Sequence, residues 1–285
     1  MISTKKPLDV LHMDLFGPSR IASLAGNFYA LVIVDDYSRY SWTPFLAYKN
    51  DAYKAFKKLA KVLQNENGCC VKSIRSDHGG EFQNAMFERF CEKHGISHTF
   101  LAPMTPQQNG VVERKNRSLE ELVRTMLNES KLPKYLWTNA VYTAGYVLNR
   151  TLIRPILKKT PYEMYKGRKP CVGHLRVFEC KCFILNNGKY NLGKFDGKSD
   201  ERIHIGYALN GHAYQIFNKR FLIVEESMHV MFDESDNYMP KPVSDDLECD
   251  DLRTVLHKND LIDIDVNDSH AIKKEGGPSK HAGFV

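Results

Sequence analysis

The chain has 285 residues, 42% of them hydrophobic and 26% charged, which is the composition of a globular protein of one ordinary domain plus a smaller one. No run of about 18 apolar residues occurs, and the opening MISTKKPLDV lacks an apolar signal core, so no membrane association or secretion is expected and an intracellular setting is the default. The net charge of +6 conceals a division: residues 1–234 hold 34 Lys+Arg against 23 Asp+Glu, while 235–285 hold 6 against 11. A basic body of this kind suits a polyanionic partner, nucleic acid first among them, although surplus lysine also serves solubility. Seven cysteines without a CxxC pair argue against a disulfide scaffold and an ordinary zinc site.

In chain order, LDVLHMDLF (8–16) alternates as a strand does, with Leu11, Met13 and Leu15 on one face and Val10, His12 and Asp14 on the other. FYALVIVDDYS (28–38) and YSWTPFLAY (40–48) continue an antiparallel meander. Helical spacing of Ala52, Tyr53, Phe56, Leu59, Ala60 and Leu63 follows, closed by Gly68. VKSIRSD (71–77) reads as a strand, NAMFERFCEKHG (84–95) as a helix and ISHTFLA (96–102) as a strand. This order predicts a mixed sheet flanked by helices. Thr105, Pro106 and Gln108 fit a capping box, but Gly110 disfavours an early helix by about 1 kcal/mol, so a mobile loop through Asn109 and a helix from there are expected. Val112, Leu119, Val123 and Met126 give that helix its apolar stripe. A further helix spans 135–150, a connector 151–173, and four or five short strands 174–234. The acidic segment from Asp236 onward is expected to be disordered.

The acids can now be set together. Asp14 lies on the polar side of the first strand, Asp77 ends a strand beside Gly79-Gly80, and Glu113 stands near a helix start, followed by Arg114, Lys115 and Arg117. A carboxylate among cations on a solvated helix is most simply a surface ion pair. Three acids brought together by the sheet would instead repel one another and raise their pKa values, for which a hard divalent cation such as Mg²⁺ is the natural partner.

HMDLFGP, IVDDYSRYSW, IRSDHGGEF, PQQNGVVERKNR, AGYVLNR, TPYEMYKGRKP and HVMFDE, in this order, resemble the integrase region of copia-type LTR retrotransposon Pol polyproteins over roughly residues 7–234. The 35 residues between Asp77 and Glu113 match the spacing of that family's acid triad. The resemblance implies an α/β fold: an RNase H-like mixed sheet flanked by helices over 1–165, a small SH3-like β-barrel domain over 166–235, and the acidic tail over 236–285. It assigns Asp14, Asp77 and Glu113 as catalytic metal ligands for two Mg²⁺ (or Mn²⁺) ions. Gln107, Gln108, Asn109, Arg114, Lys115 and Arg117 become DNA-binding residues, with the three cations offered to phosphates. The implied reaction is trimming of the element's 3′ ends and their joining to target DNA, by a homo-oligomer in the nucleus. Asp35 and Asp36, a more conspicuous acidic pair, are read as structural.

Two departures stand out: the His/Cys zinc-binding segment that precedes such cores is not in this sequence, and Glu179 occupies a place in VFECKC where these elements usually carry glycine. A catalytically silent DNA-binding remnant is therefore the alternative function. An RNase H acting on hybrids shares the fold but is disfavoured by the triad spacing and the trailing β-domain.

Overall fold

The computed structural model describes residues 4–100, 110–129, 132–155, 157–185, 195, 199–208 and 213–234. β1 (Val10–Phe16) lies at the centre of a six-stranded sheet. On one side it pairs antiparallel with β2 (Tyr29–Asp35), on the other parallel with β5 (Ser73–Ser76), which pairs parallel with β6 (Ser97–Phe100). The third strand of the meander is interrupted. β3 (Ser41–Trp42) and β4 (Phe45–Leu46) both pair with β2, separated at Pro44, which has no N–H to give a ladder but accepts from the Leu31 N–H at 2.8 Å. Helices cover both faces, as the sequence pattern predicts.

Period-2 alternation sorts the core. Leu11, Met13, Leu31, Ile33 and Ile74 face α1 (Ala52–Asn67) and α2 (Ala85–His94), where Phe56, Phe87 and Phe90 meet them. Ala30, Val32 and Val34 face α3 (Gly110–Glu129) and α4 (Trp137–Thr151), against Val112, Leu119, Trp137 and Val141. Gly68 and Gly95 end α1 and α2 in the left-handed conformation, and Asn84 caps α2 by accepting from the Phe87 N–H. The stretch expected to be an irregular connector contains a short helix, α5 (Pro161–Lys166). A capping box between Thr160 and Glu163 with proline at its start, and the packing of Tyr165 on Tyr40 and Trp42, make it stable.

Five strands follow: β7 (Lys181–Leu185), β8 (Ser199–Tyr207), β9 (Tyr214–Asn218), β10 (Ile223–Ser227) and β11 (Val230–Asp233). All are antiparallel, in the order β10-β9-β8-β7-β11. The sheet packs on α4, where buried Thr143 donates to the Ile205 carbonyl at 3.0 Å. A Cβ on Gly206 would come within 2.5 Å of Thr143 Oγ1 at a backbone φ of +154°, so this contact needs glycine. The described residues from Thr4 to Glu234 form one compact unit. Glu179, the departure from the family's glycine, has φ +73°, a left-handed conformation that costs a side-chain-bearing residue about 1 kcal/mol or more. The tail 236–285 lies outside the described residues. No helix among the described residues is long and apolar enough to cross a membrane.

Candidate catalytic and metal-binding site

Register places Asp14. It is paired with Val32 on the α3 side of the sheet, so its side chain meets the helix that begins at Gly110. Asn116, three residues after Glu113, donates Nδ2 to Asp14 Oδ2 at 2.7 Å, and the Leu15 N–H donates to Oδ1 at 2.9 Å. Asn116 Oδ1 is buried with no partner among the described residues. Burial pushes the Asp14 carboxyl up to about 6, and the negative charges of Asp77 and Glu113 push in the same direction against these two hydrogen bonds. The three acids are thus electrostatic neighbours, as their separate elements imply.

They are not equally placed. Asp14 and Glu113 line one open cleft of about 750 Å³, together with Asn116, Arg117, Glu120 and Trp137. Asp77 follows the C-terminal end of β5 and is exposed, its Oδ1 accepting from the Gly79 N–H at 3.2 Å. Among the described residues no three His, Cys, Asp or Glu side chains form a group that could hold a metal ion in this arrangement, and no cation pairs with Asp14, Asp77 or Glu113. The donor set is nevertheless all hard oxygen, and the half-buried Asp14 has no counter-charge among the described residues, which suits a cation such as Mg²⁺.

The basic residues of α3 separate by helical phase. Arg117 shares the face of Glu113, Asn116 and Glu120 and opens into the cleft. Arg114 is exposed elsewhere, its guanidinium folded back over Gly110 and electrostatically close to Arg39. Lys115 departs from the expected phosphate contact. It is only 7% exposed, its Nζ donates to Asn149 Oδ1 at 3.4 Å, and burial brings its ammonium down to about 8. The sequence held the signal: Lys115 stands three residues after Val112 and four before Leu119, on the apolar stripe. The same periodicity, read from Glu113, points to Asn116, which sequence reading passed over. Gln107, Gln108 and Asn109 lie outside the described residues.

Asp35 and Asp36 make a different kind of site. Asp35 accepts from the Leu8 N–H at 2.9 Å and from the Ser38 N–H and hydroxyl at 2.8 and 2.6 Å. Asp36 accepts from Thr4 Oγ1 at 2.8 Å and lies 3.1 Å from both His12 Nε2 and Arg39 Nη1. Burial alone would raise Asp36, but the His12 and Thr4 hydrogen bonds and the Arg39 charge hold it well below the ordinary carboxylate range. His12 is thereby committed to this network.

Residues 4–106 match the model of the integrase core domain family, and residues 180–246 that of the retroviral polymerase SH3-like domain. The chain is 38% identical over 229 residues to the retrovirus-related Pol polyprotein from transposon TNT 1-94 of Nicotiana tabacum, covering 80% of this chain and 17% of the polyprotein. It is 34% identical over 235 residues to that from transposon RE1 of Arabidopsis thaliana, covering 82% and 16%. The chain belongs to the copia-type retrotransposon integrases. This integrase spans about one sixth of the length of those polyproteins. The core-domain match takes in Asp14 and Asp77 and ends before Glu113. Among solved structures, the integrase is similar to the catalytic core domain of HTLV-2 integrase in complex with magnesium. That match has 21% identity and a TM-score of 0.44, and it covers 56% of this chain and 97% of that one.

Proposed function

We propose that the integrase is a metal-dependent polynucleotidyl transferase that trims the 3′ ends of retrotransposon DNA and joins them to target DNA. The observation that carries this reading is the half-buried Asp14 carboxyl, raised to about 6 by burial and by Asp77 and Glu113, which lines the cleft beside Glu113 with no cation paired to it among the described residues. Asp14, Asp77 and Glu113 are the residues to hold Mg²⁺ or Mn²⁺. Two such ions, when bound, supply charge stabilisation on both sides of an in-line displacement at phosphorus. Asn116 holds the Asp14 carboxylate in place in the cleft wall by its hydrogen bond to Oδ2. Arg117, exposed in the same cleft, neutralises a phosphate of the bound strand. Arg114 and the amides of Gln107, Gln108 and Asn109 add contacts along the DNA, without sequence preference and with strong dependence on salt. Action as a homo-oligomer on element ends and target DNA, in the nucleus, belongs to the same proposal.

The test is 3′-end trimming and strand joining by wild type and Glu113→Gln in Mg²⁺ and in Mn²⁺. Loss of both activities in the variant is the expected result, and retention refutes the assigned triad. One observation favours a second reading: the lack of a ready-made metal group among the described residues is what a silent DNA-binding remnant would show. That remnant binds DNA in a salt-sensitive way and cleaves with neither metal.

A further inference from the structure

The cleft that holds Asp14 and Glu113 does not end at the acids. Beyond Trp137 it continues into a smaller hollow of about 270 Å³, and the two share Ser19, Leu127 and Trp137 in their walls. Charge reverses along this path. The larger part carries Asp14, Glu113 and Glu120 against the single cation Arg117, whereas the charged residues of the smaller part are Arg20, Arg124 and Lys134. Among the described residues none of these three cations pairs with a carboxylate. All three are exposed.

The hollow is held in shape by its own hydrogen bonds. Trp137 Nε1 donates to the Ile21 carbonyl at 3.1 Å, which also accepts from Ser19 Oγ at 3.0 Å, and the Ser19 N–H donates to the Phe28 carbonyl at 2.8 Å. The turn bearing Arg20 is thereby tied to α4, while Arg124 projects from α3 and Lys134 from the turn that enters α4. Cations on three different segments thus converge on one concavity. The indole N–H is already engaged, so this wall offers guanidinium and ammonium groups to a phosphate and little to a base edge.

We infer that this hollow is a second DNA-backbone subsite, taking phosphates of the duplex whose reacting end lies in the acid cleft. The inference rests on the integrase reading of that cleft. Arg124 follows Glu113 by 11 residues on α3, about 16 Å along the helix axis at 1.5 Å per residue. At about 3.4 Å of rise per base step, the contacted phosphate lies roughly five steps from the reacting one. The subsite sets how the duplex lies across the core, and does so without reading sequence.

The experiment measures binding of labelled duplexes by fluorescence anisotropy in EDTA, so that affinity is read without cleavage. The duplexes carry single neutral methylphosphonates at successive positions from the 3′ end. For wild type, the affinity loss centres about five phosphates from the end. Arg20→Ala/Arg124→Ala/Lys134→Ala binds roughly tenfold more weakly, with a log–log salt slope lower by about 0.9 for each phosphate no longer neutralised, and no longer senses that methylphosphonate. Arg20→Lys/Arg124→Lys retains the slope, which separates charge from fold. Equal affinity, slope and methylphosphonate profile in the alanine variant and wild type overturns the subsite, as does a wild type that binds no duplex. The integrase reading is tested apart, by Mg²⁺-dependent cleavage in wild type and Glu113→Gln. Binding that depends on the three cations without cleavage keeps the subsite and removes the transferase, while cleavage with unaltered binding in the alanine variant does the reverse.

Discussion

The Asp35–Asp36 corner and the acid cleft lie on the same sheet and hold the same chemical groups with different partners. At the corner every described carboxylate oxygen has a donor: Leu8, Ser38, Thr4, His12 and Arg39 answer two acids that are 0% and 6% exposed. In the cleft Asp14 has one amide and one backbone N–H, with two further acids as electrostatic neighbours and no cation paired to any of the three among the described residues. A buried charge is tolerable only when compensated. The corner is answered by the protein itself: at Asp36 the partners outweigh burial and hold the carboxyl low, so its charge stabilises the fold, while at Asp35 burial still raises the carboxyl against three hydrogen bonds. Under the proposed function the cleft leaves its compensation to a bound cation, and until one binds the raised Asp14 carboxyl costs stability. Acidic residues that stand out in a sequence are thus not the ones to suspect of function; those the fold leaves short of partners are.

Mutation separates the two acid sites. The largest effect is expected in the cleft, where Glu113→Gln lowers Mg²⁺-dependent strand cleavage about a thousandfold, equivalent to about 4 kcal/mol of barrier, while the melting temperature stays within a few degrees. Next comes the corner. Asp36→Ala leaves His12 and Arg39 facing an empty acceptor and costs about 3 kcal/mol by urea unfolding, most of it at pH values above the carboxylate's ordinary range. Because the folded Asp36 is held below its unfolded value of 3.8, its contribution is present above that pH and fades as the acid is protonated below it.

Asp14→Asn should move the other way. The folded carboxyl near 6 lies above its unfolded value of 3.8, so wild type bears the cost fully above pH 6, and sheds it as pH falls toward 3.8. Allowing for partial exposure and one lost hydrogen bond, the variant gains about 1 kcal/mol at pH 8, and a gain that persists undiminished at pH 4 would contradict the sign. Mg²⁺ at about ten times its dissociation constant should stabilise wild type by about 1.4 kcal/mol and leave Asp14→Asn unmoved. The smallest effect is expected for Lys115→Met, within about 1 kcal/mol of wild type at pH 7 because an uncompensated buried ammonium is removed along with its hydrogen bond. Its DNA affinity should equal that of wild type, whereas Arg117→Ala weakens binding and lowers the salt slope by about one.

Much of the fold is legible in the sequence because local rules and tertiary packing agree. Glycine and asparagine punctuation set the ends of α1 and α2, period-2 alternation puts Asp14 on the face opposite Leu11 and Met13, and Gly110 begins α3 where its helix penalty argues. α5 escapes because its six residues are too few for periodicity to show; its capping box and the aromatic contacts of Tyr165 stabilise it. Lys115 escapes because a run of cations reads as one solvated face, when helical phase sends its middle member inward.

Short-range periodicity, turn chemistry and ordered motifs were enough to give the order of strands and helices, the second, all-antiparallel sheet that follows the mixed one and the acids that a resemblance selects. Which carboxylates find donors and cations emerges only once the chain is folded. So do the burial of Lys115 and the meeting of Arg20, Arg124 and Lys134 in one hollow. Compensation of charge depends on groups distant in the chain brought within a few ångströms, and no local rule of sequence measures that distance.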